Sequence, residues 1–149
     1  MKICIPTAPG GHLTEVLAIL EAFDGYDIVF IAPDTPRTRN LPYRVRCVTQ
    51  WEGRFWLLQF AFVALRIAWI TFLEKPDIVF STGGEIAAPA FLAGRLRGAR
   101  TVFLESVTRV RLPTATGRVV YRLCDLFLVQ HPEMVAFYGR KARYAGSIL

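Results

Sequence analysis

Two short stretches hold the residue types that chemistry on a phosphorylated ligand needs. In Pro9-Gly10-Gly11-His12 and in Ser81-Thr82-Gly83-Gly84-Glu85, a glycine pair separates an apolar strand-like run from an apolar helix-like run. Such a turn lets backbone N–H groups at a helix start approach a phosphate closely. A plain tight turn between strand and helix is the alternative reading of each pair. His12 adds an imidazole at the mouth of the first turn. Near neutral pH that ring can take a proton from a sugar hydroxyl as a general base, or it can serve as a hydrogen-bonding residue at a helix start. Its position favours the base. His131, followed by Pro132, reads instead as a helix-capping residue.

Four further charged positions fall near the same turns. Glu85 lies in a helix's first turn, where a carboxylate suits the macrodipole with no ligand at all. Glu105 ends an apolar run and is followed by Ser106 and Thr108, so it could hold a sugar hydroxyl or pair with Arg109. Arg109 and Arg111 read as pyrophosphate clamps or as solvated loop charges.

Placing these groups together requires a particular scaffold. The pattern predicts strands at 2–6, 26–32, 43–49, 77–81, 100–105 and 125–130, and helices at 12–23, 53–74, 86–97, 115–123 and 133–138. The runs Ile28-Val29-Phe30-Ile31, Ile78-Val79-Phe80, Val102-Phe103-Leu104 and Leu126-Phe127-Leu128-Val129 are unbroken. Runs of that kind fit parallel strands covered on both faces. Their alternation with helices implies one α/β domain over 1–149, a doubly wound, mostly parallel, Rossmann-like sheet. In strand order 3-2-1-4-5-6 the two glycine pairs follow neighbouring strands at the switch point. The loops after the fifth and sixth strands, Glu105 to Arg109 and Gln130-His131, share that rim. Pro33 to Pro42 reads as a surface loop.

The stretch Phe55 to Leu73 holds one charge, Arg66, and otherwise only Gln59 and Thr71 as polar positions. A helix so apolar is buried or meets lipid. Arg66 at mid-span argues against a true transmembrane crossing. Trp51, Phe55, Trp56, Phe60 and Trp69, with Arg54 and Arg66, fit a helix lying in or on a membrane face.

Composition narrows the classes. Apolar residues make up 53 % and mean hydropathy is +0.35, which argues against disorder. The net charge of +6 points to an anionic partner. The arginines are scattered and no nucleic-acid module is present, so a membrane surface fits better than nucleic acid. Cys4, Cys47 and Cys124 lie far apart, and Cys4 and Cys124 read as buried free thiols suited to a reducing cytosol. No signal peptide is expected before the first strand. A dinucleotide fingerprint is poor: the third glycine of G-x-G-x-x-G is missing, and Ala32-Pro33 ends the second strand where an acidic residue would stand.

With these stretches in view, the chain resembles a family. Pro9 to Glu15, Pro76 to Gly84, Glu105 to Arg109, Thr116 to Gln130 and Tyr144-Ala145-Gly146 match in order and spacing the acceptor-binding, membrane-associating half of split GT-B glycosyltransferases. That group includes the anchoring subunit of the dolichol-linked-oligosaccharide N-acetylglucosaminyltransferase and PssD- and EpsE-like exopolysaccharide proteins. More distantly, the chain is similar to the N-terminal half of the peptidoglycan transferase MurG. His131-Pro132-Glu133 departs from the Trp-Pro common after the glutamine, and no N-terminal membrane helix is expected. Both departures point to a bacterial polysaccharide role.

The resemblance implies a GT-B N-terminal-type domain that recruits a transferase to the cytoplasmic face of the inner (plasma) membrane. It would bind a polyprenyl-pyrophosphate-linked sugar, while a companion subunit brings the UDP-sugar, so this chain itself would bind no cofactor and no metal. His12 would deprotonate the acceptor and Glu105 would orient it. Gly10, Gly11, Thr14, Gly83, Gly84, Glu85, Ser106 and Arg109 would bind it. A non-catalytic membrane scaffold and a small Rossmann-type nucleotide-binding enzyme are the competing readings.

Overall fold

The computed structural model describes residues 1–49 and 55–148. Its strands are β1 (Lys2–Pro6), β2 (Asp27–Pro33), β3 (Arg44–Val48), β4 (Ile78–Ser81), β5 (Arg100–Leu104), β6 (Leu126–Val129) and β7 (Ala142–Tyr144). They form a single sheet in the order β3-β2-β1-β4-β5-β6-β7, and every pairing is parallel. The helices are α1 (Gly11–Ala18), α2 (Pro36–Arg39), α3 (Trp56–Glu74), α4 (Ala87–Leu96), α5 (Ala115–Leu123) and α6 (Glu133–Tyr138).

Successive strand side chains alternate between faces. Ile3, Ile5, Phe30, Phe80 and Leu104 therefore pack with Leu13 and Val16 of α1 on one face. Cys4, Val29, Val79, Phe103 and Phe127 meet Val63 and Ile67 of α3, Phe91 of α4 and Val120 of α5 on the other. The expected doubly wound α/β sheet and its switch between β1 and β4 are what the fold shows.

Three expectations are corrected. The helix predicted over 12–23 ends at Ala18 and tightens into a 3₁₀ turn at Leu20–Phe23, ahead of Gly25 at φ 80°. The predicted surface loop Pro33 to Pro42 contains α2, started by a reciprocal Thr35–Thr38 cap with Pro36 in its first turn. A seventh strand, β7, escapes a reading based on apolar runs because Ala142-Arg143-Tyr144 has none; the open edge of β6 supplies its hydrogen bonds. Cys4 and Cys124 are buried free thiols as expected, and burial, assisted by the Glu74 charge, pushes the Cys4 thiol up to about 12.

At the edge opposite the glycine pairs, one carboxylate fastens three elements. Glu74 closes α3, whose end is set by Lys75 in the left-handed region at φ 49° and by Pro76. Its side chain is 6 % exposed and accepts from Arg46 at 2.6 Å, with Arg44 at 3.2 Å and Lys2 at 3.4 Å. Lys2 also donates to the Glu74 carbonyl at 2.9 Å. Burial pushes this carboxyl up, but the Arg46 hydrogen bond and the charges of Arg44 and Arg46 outweigh it, so Glu74 titrates below the ordinary glutamate value. A depressed folded value means that its stabilisation is complete above the unfolded range, near pH 4–5, and fades as pH falls further. Glu74→Gln should cost about 1–3 kcal/mol at neutral pH and should flatten the acid-side loss of stability. Denaturant melts of both proteins from pH 7 to pH 3 check this.

Candidate functional site

The first two loops on the carboxyl edge are stitched together by short polar contacts. The Ser81 hydroxyl at the end of β4 donates to the Pro6 carbonyl at the end of β1, at 2.7 Å. The Thr82 hydroxyl donates to the His12 carbonyl at 2.9 Å. Gly83 and Gly84 have φ of 138° and 88°, which only glycine adopts readily. The His12 ring lies against Gly83, so that a Cβ there would sit 2.8 Å from Nδ1 and 3.1 Å from Nε2. A Cβ on Gly84 would press on Ala8 at 3.1 Å. The second glycine pair is thus a bed for the first loop and its imidazole.

Gly10 and Gly11 have a different character. Both are exposed, and a Cβ on either would meet nothing within 4 Å. No side chain caps the N-terminus of α1, so the amides of its first turn are left for an anion. Arg37, on the short helix α2, donates to the Pro9 and Gly10 carbonyls at 3.2 and 3.1 Å and to Thr14 Oγ1 at 2.8 Å. Thr14 is therefore part of the loop's own bracing.

Glu105 needs correcting on its expected pairing with Arg109. It is 1 % exposed and pairs with no arginine among the described residues. Its carboxylate accepts from the Ser106 amide at 3.1 Å, from the Thr114 hydroxyl at 3.1 Å and from the Tyr138 hydroxyl. Thr114 caps α5 through the Gly117 amide at 2.8 Å, so the Glu105 charge sits at the N-terminus of that helix, where the dipole favours it. Burial and the adjacent carboxylate push the Tyr138 phenol far up. In this arrangement the carboxylate is a structural pin between the end of β5, the start of α5 and α6.

Ser106 is buried and donates to Glu15 Oε1 at 2.6 Å, and the Val107 amide reaches the same oxygen at 3.0 Å. His131 stands at the start of α6, where its carbonyl accepts from the Met134 amide, but its ring donates to the Val107 carbonyl at 2.6 Å. The Gln130 amide donates to the Glu105 carbonyl at 3.0 Å. Glu85 and Arg109 are exposed, and neither side chain makes an ion pair or hydrogen bond among the described residues. The fold thus sets the Gly10-Gly11-His12 loop beside the Gly83-Gly84 loop, with His12 against Gly83, and reaches Ser106 through Glu15.

Glu15, Arg37, Thr114 and Tyr138 were not singled out from sequence. Glu15 carried a legible signal, a carboxylate between the apolar helix positions Leu13 and Val16 and three residues from His12. Tyr138 carried none.

Beside the carboxyl edge, α3 shows a second surface. It packs inward through a buried stripe of Val63, Ile67, Thr71 and Glu74, joined by the half-buried Ile70. Phe55, Trp56, Leu58, Phe62, Leu65, Arg66 and Trp69 are exposed, Leu65 at 71 % and Trp69 at 62 %, while Phe60 is half-buried. Arg97 lies over the Phe72 ring at 4.5 Å. By length and composition α3 could cross a bilayer, but its inner stripe is fastened along the sheet. Trp51 and Arg54 lie outside the described residues.

Comparisons with known proteins agree with one another. A family model described as "Oligosaccharide biosynthesis protein Alg14 like" matches residues 47–148. A protein of Synechococcus sp. (strain CC9902), named UDP-N-acetylglucosamine--N-acetylmuramyl-(pentapeptide) pyrophosphoryl-undecaprenol N-acetylglucosamine transferase, is 35 % identical over 136 residues. That alignment takes in 83 % of this chain and 37 % of the relative. The human UDP-N-acetylglucosamine transferase subunit ALG14 is 30 % identical over 98 residues, 59 % of this chain and 45 % of the human one. Acinetobacter baumannii MurG superposes with a TM-score of 0.79 at 18 % identity over 97 % of this chain and 45 % of its own, a likeness of fold. The chain thus spans little more than a third of the Synechococcus relative and under half of the solved one.

The bed beneath His12 yields a test. Gly83→Ala places a methyl group into the imidazole at a φ of 138°. It should destabilise the fold by about 1–3 kcal/mol and shift the His12 ring resonances, whereas Gly10→Ala should do neither. Thermal melts and NMR spectra of both variants would show it.

Proposed function

Since the chain belongs to the Alg14-like family of oligosaccharide biosynthesis proteins, we propose that it is the acceptor-binding, membrane-recruiting half of a two-subunit UDP-sugar glycosyltransferase. Its substrate would be a saccharide linked to polyprenyl pyrophosphate, met at the cytoplasmic face of the membrane. The observation that carries this is the seam between the two glycine loops, where an imidazole rests on Gly83 beside an uncapped helix N-terminus. Pyrophosphate oxygens would accept from the first-turn amides of α1, with the helix dipole favouring their charge. His12 would take the proton of the acceptor hydroxyl as that oxygen attacks the anomeric carbon. UDP would leave from the opposite side with the bonding electron pair, so the configuration inverts.

Two names among the relatives support the reading. The human relative is called a subunit, which supports a companion that holds the nucleotide sugar. The Synechococcus relative is named for an acceptor carried on pyrophosphoryl-undecaprenol. The exposed apolar face of α3 supports membrane docking, with Arg66 reaching headgroups while its stem lies along the apolar surface.

Two experiments test these claims. With the companion chain, UDP-sugar and polyprenyl-pyrophosphate sugar supplied, turnover should be robust, and the lone chain should give none. In that mixture His12→Ala should lower turnover by about a hundredfold or more without loss of companion or vesicle binding. Survival within a few-fold would favour a membrane scaffold.

Trp56 and Trp69 test the docking face. Both are exposed, so replacing them together by Ser should leave the melting temperature almost unchanged. Each indole placed in lipid contributes about 1.5–3 kcal/mol, so flotation with anionic vesicles should weaken by roughly tens-fold or more. Undiminished flotation would remove α3 from the membrane contact.

A further inference from the structure

Two buried side-chain polar atoms lack a hydrogen-bond partner among the described residues, Nδ1 of His12 and Oε2 of Glu15. Their residues lie three apart on α1, a spacing that makes them neighbours on the helix surface, about 5–6 Å between Cβ atoms. Leaving either atom unpaired in the interior costs its full desolvation. Both are closed off from solvent, so an incoming acceptor cannot supply the missing partner. The surrounding groups are already used. Ser106 and the Val107 amide hold Glu15 Oε1, the Glu105 carboxylate faces Thr114 and Tyr138, the His131 ring holds the Val107 carbonyl, and Arg37 holds the Gly10 loop.

We infer that Glu15 is the positioning residue for His12: Nδ1 and Oε2 are not hydrogen-bonded to one another as the side chains stand, and a turn of either side chain lets the free carboxylate oxygen accept from the Nδ1–H of the imidazole. Resting on the reading of His12 as the base, this adds how the base is aimed. A carboxylate only accepts, so it selects the tautomer with its proton on Nδ1. The lone pair is then left on Nε2, the ring nitrogen that is not among the buried unpartnered atoms. Gly83 covers one face of the ring, and the Ser106–Val107 clamp fixes the carboxylate from the other side of the site. Three loops thereby determine one proton's location.

The clamp makes the inference sharply testable. The Val107 amide can only donate, so in Glu15→Gln the new side-chain carbonyl must take the place of Oε1. Its NH₂ group then occupies the place of Oε2 and donates to Nδ1, which drives the ring proton onto Nε2. The shape is unchanged and the base is blocked, the logic by which an amide in place of a carboxylate disables other oriented imidazoles.

Long-range ¹H–¹⁵N spectra of the imidazoles, recorded near pH 8.5, where the ordinary ring is neutral, report the tautomer directly. The chain has two histidines, and His12→Ala assigns the ring. The expected result is Nδ1–H in the wild type and Nε2–H in Glu15→Gln, with matching thermal melts. In the two-subunit assay Glu15→Gln should lose about a hundredfold or more, and combining it with His12→Ala should add little, because the two act as a unit. A wild-type ring protonated on Nε2, or a ring indifferent to Glu15→Gln, overturns the inference. The spectrum needs no turnover, so a failure of the proposed transfer reaction is read separately.

Discussion

A parallel sheet that winds outward in both directions from its first strand must part its loops where the direction reverses. Here the reversal falls between β1 and β4. The chain leaving β1 enters α1 on one face, and the chain leaving β4 enters α4 on the other. Neither loop can cover the gap between them, so a crevice is built into the winding. What gives it a definite shape is the stitching across it, Ser81 to Pro6 and Thr82 to His12, with Gly83 lying flat beneath the imidazole. The positions of the other functional groups follow from that seam.

Buried carboxylates then lock the frame at both edges of the sheet, each by a different chemistry. Glu74 is surrounded by lysine and arginine and ties the end of α3 to β1 and β3. Glu105 has no cation beside it among the described residues; hydroxyl and amide donors and a helix start stabilise it. Glu15 is of the second kind but only half satisfied, which is why it can act on a neighbour. A fully bonded carboxylate adds rigidity, whereas one with a free oxygen can direct a proton.

The helix α3 is under two demands at once. Its inner stripe must seal the sheet, so Val63 and Ile67 are buried and Thr71 bonds back to the Ile67 carbonyl. Its outer face, with Leu58, Phe62, Leu65 and Trp69, would gain nothing from water and much from an apolar phase. Because the helix runs along the sheet, a surface that takes up its outer face also lies along the helical layer of α3 and α4. The loops of the carboxyl edge and the apolar face therefore keep a fixed relation set by the sheet itself.

The linear pattern of residues was enough for the sheet order through β6, the switch point, the pairing of glycine turns with His12 and the unusual apolarity of α3. Each of these depends on local periodicity or on the order of elements, which a chain displays along its length. It was not enough for Glu105, whose partner is Thr114 at the start of α5 rather than Arg109, nor for β7, which has no apolar run and exists because β6 has an open edge. Nor could it reveal that Glu15 meets Ser106, 91 residues away, or that Arg37 braces the Gly10 loop from 27 residues away. Strand order brings such pairs together, and the direction in which each donor points is settled only when the loops close. Sequence thus determined which chemical groups line the carboxyl edge, and tertiary structure decided which atoms are already bonded and which are left to act, because hydrogen bonds are directional and their partners here are distant in the chain.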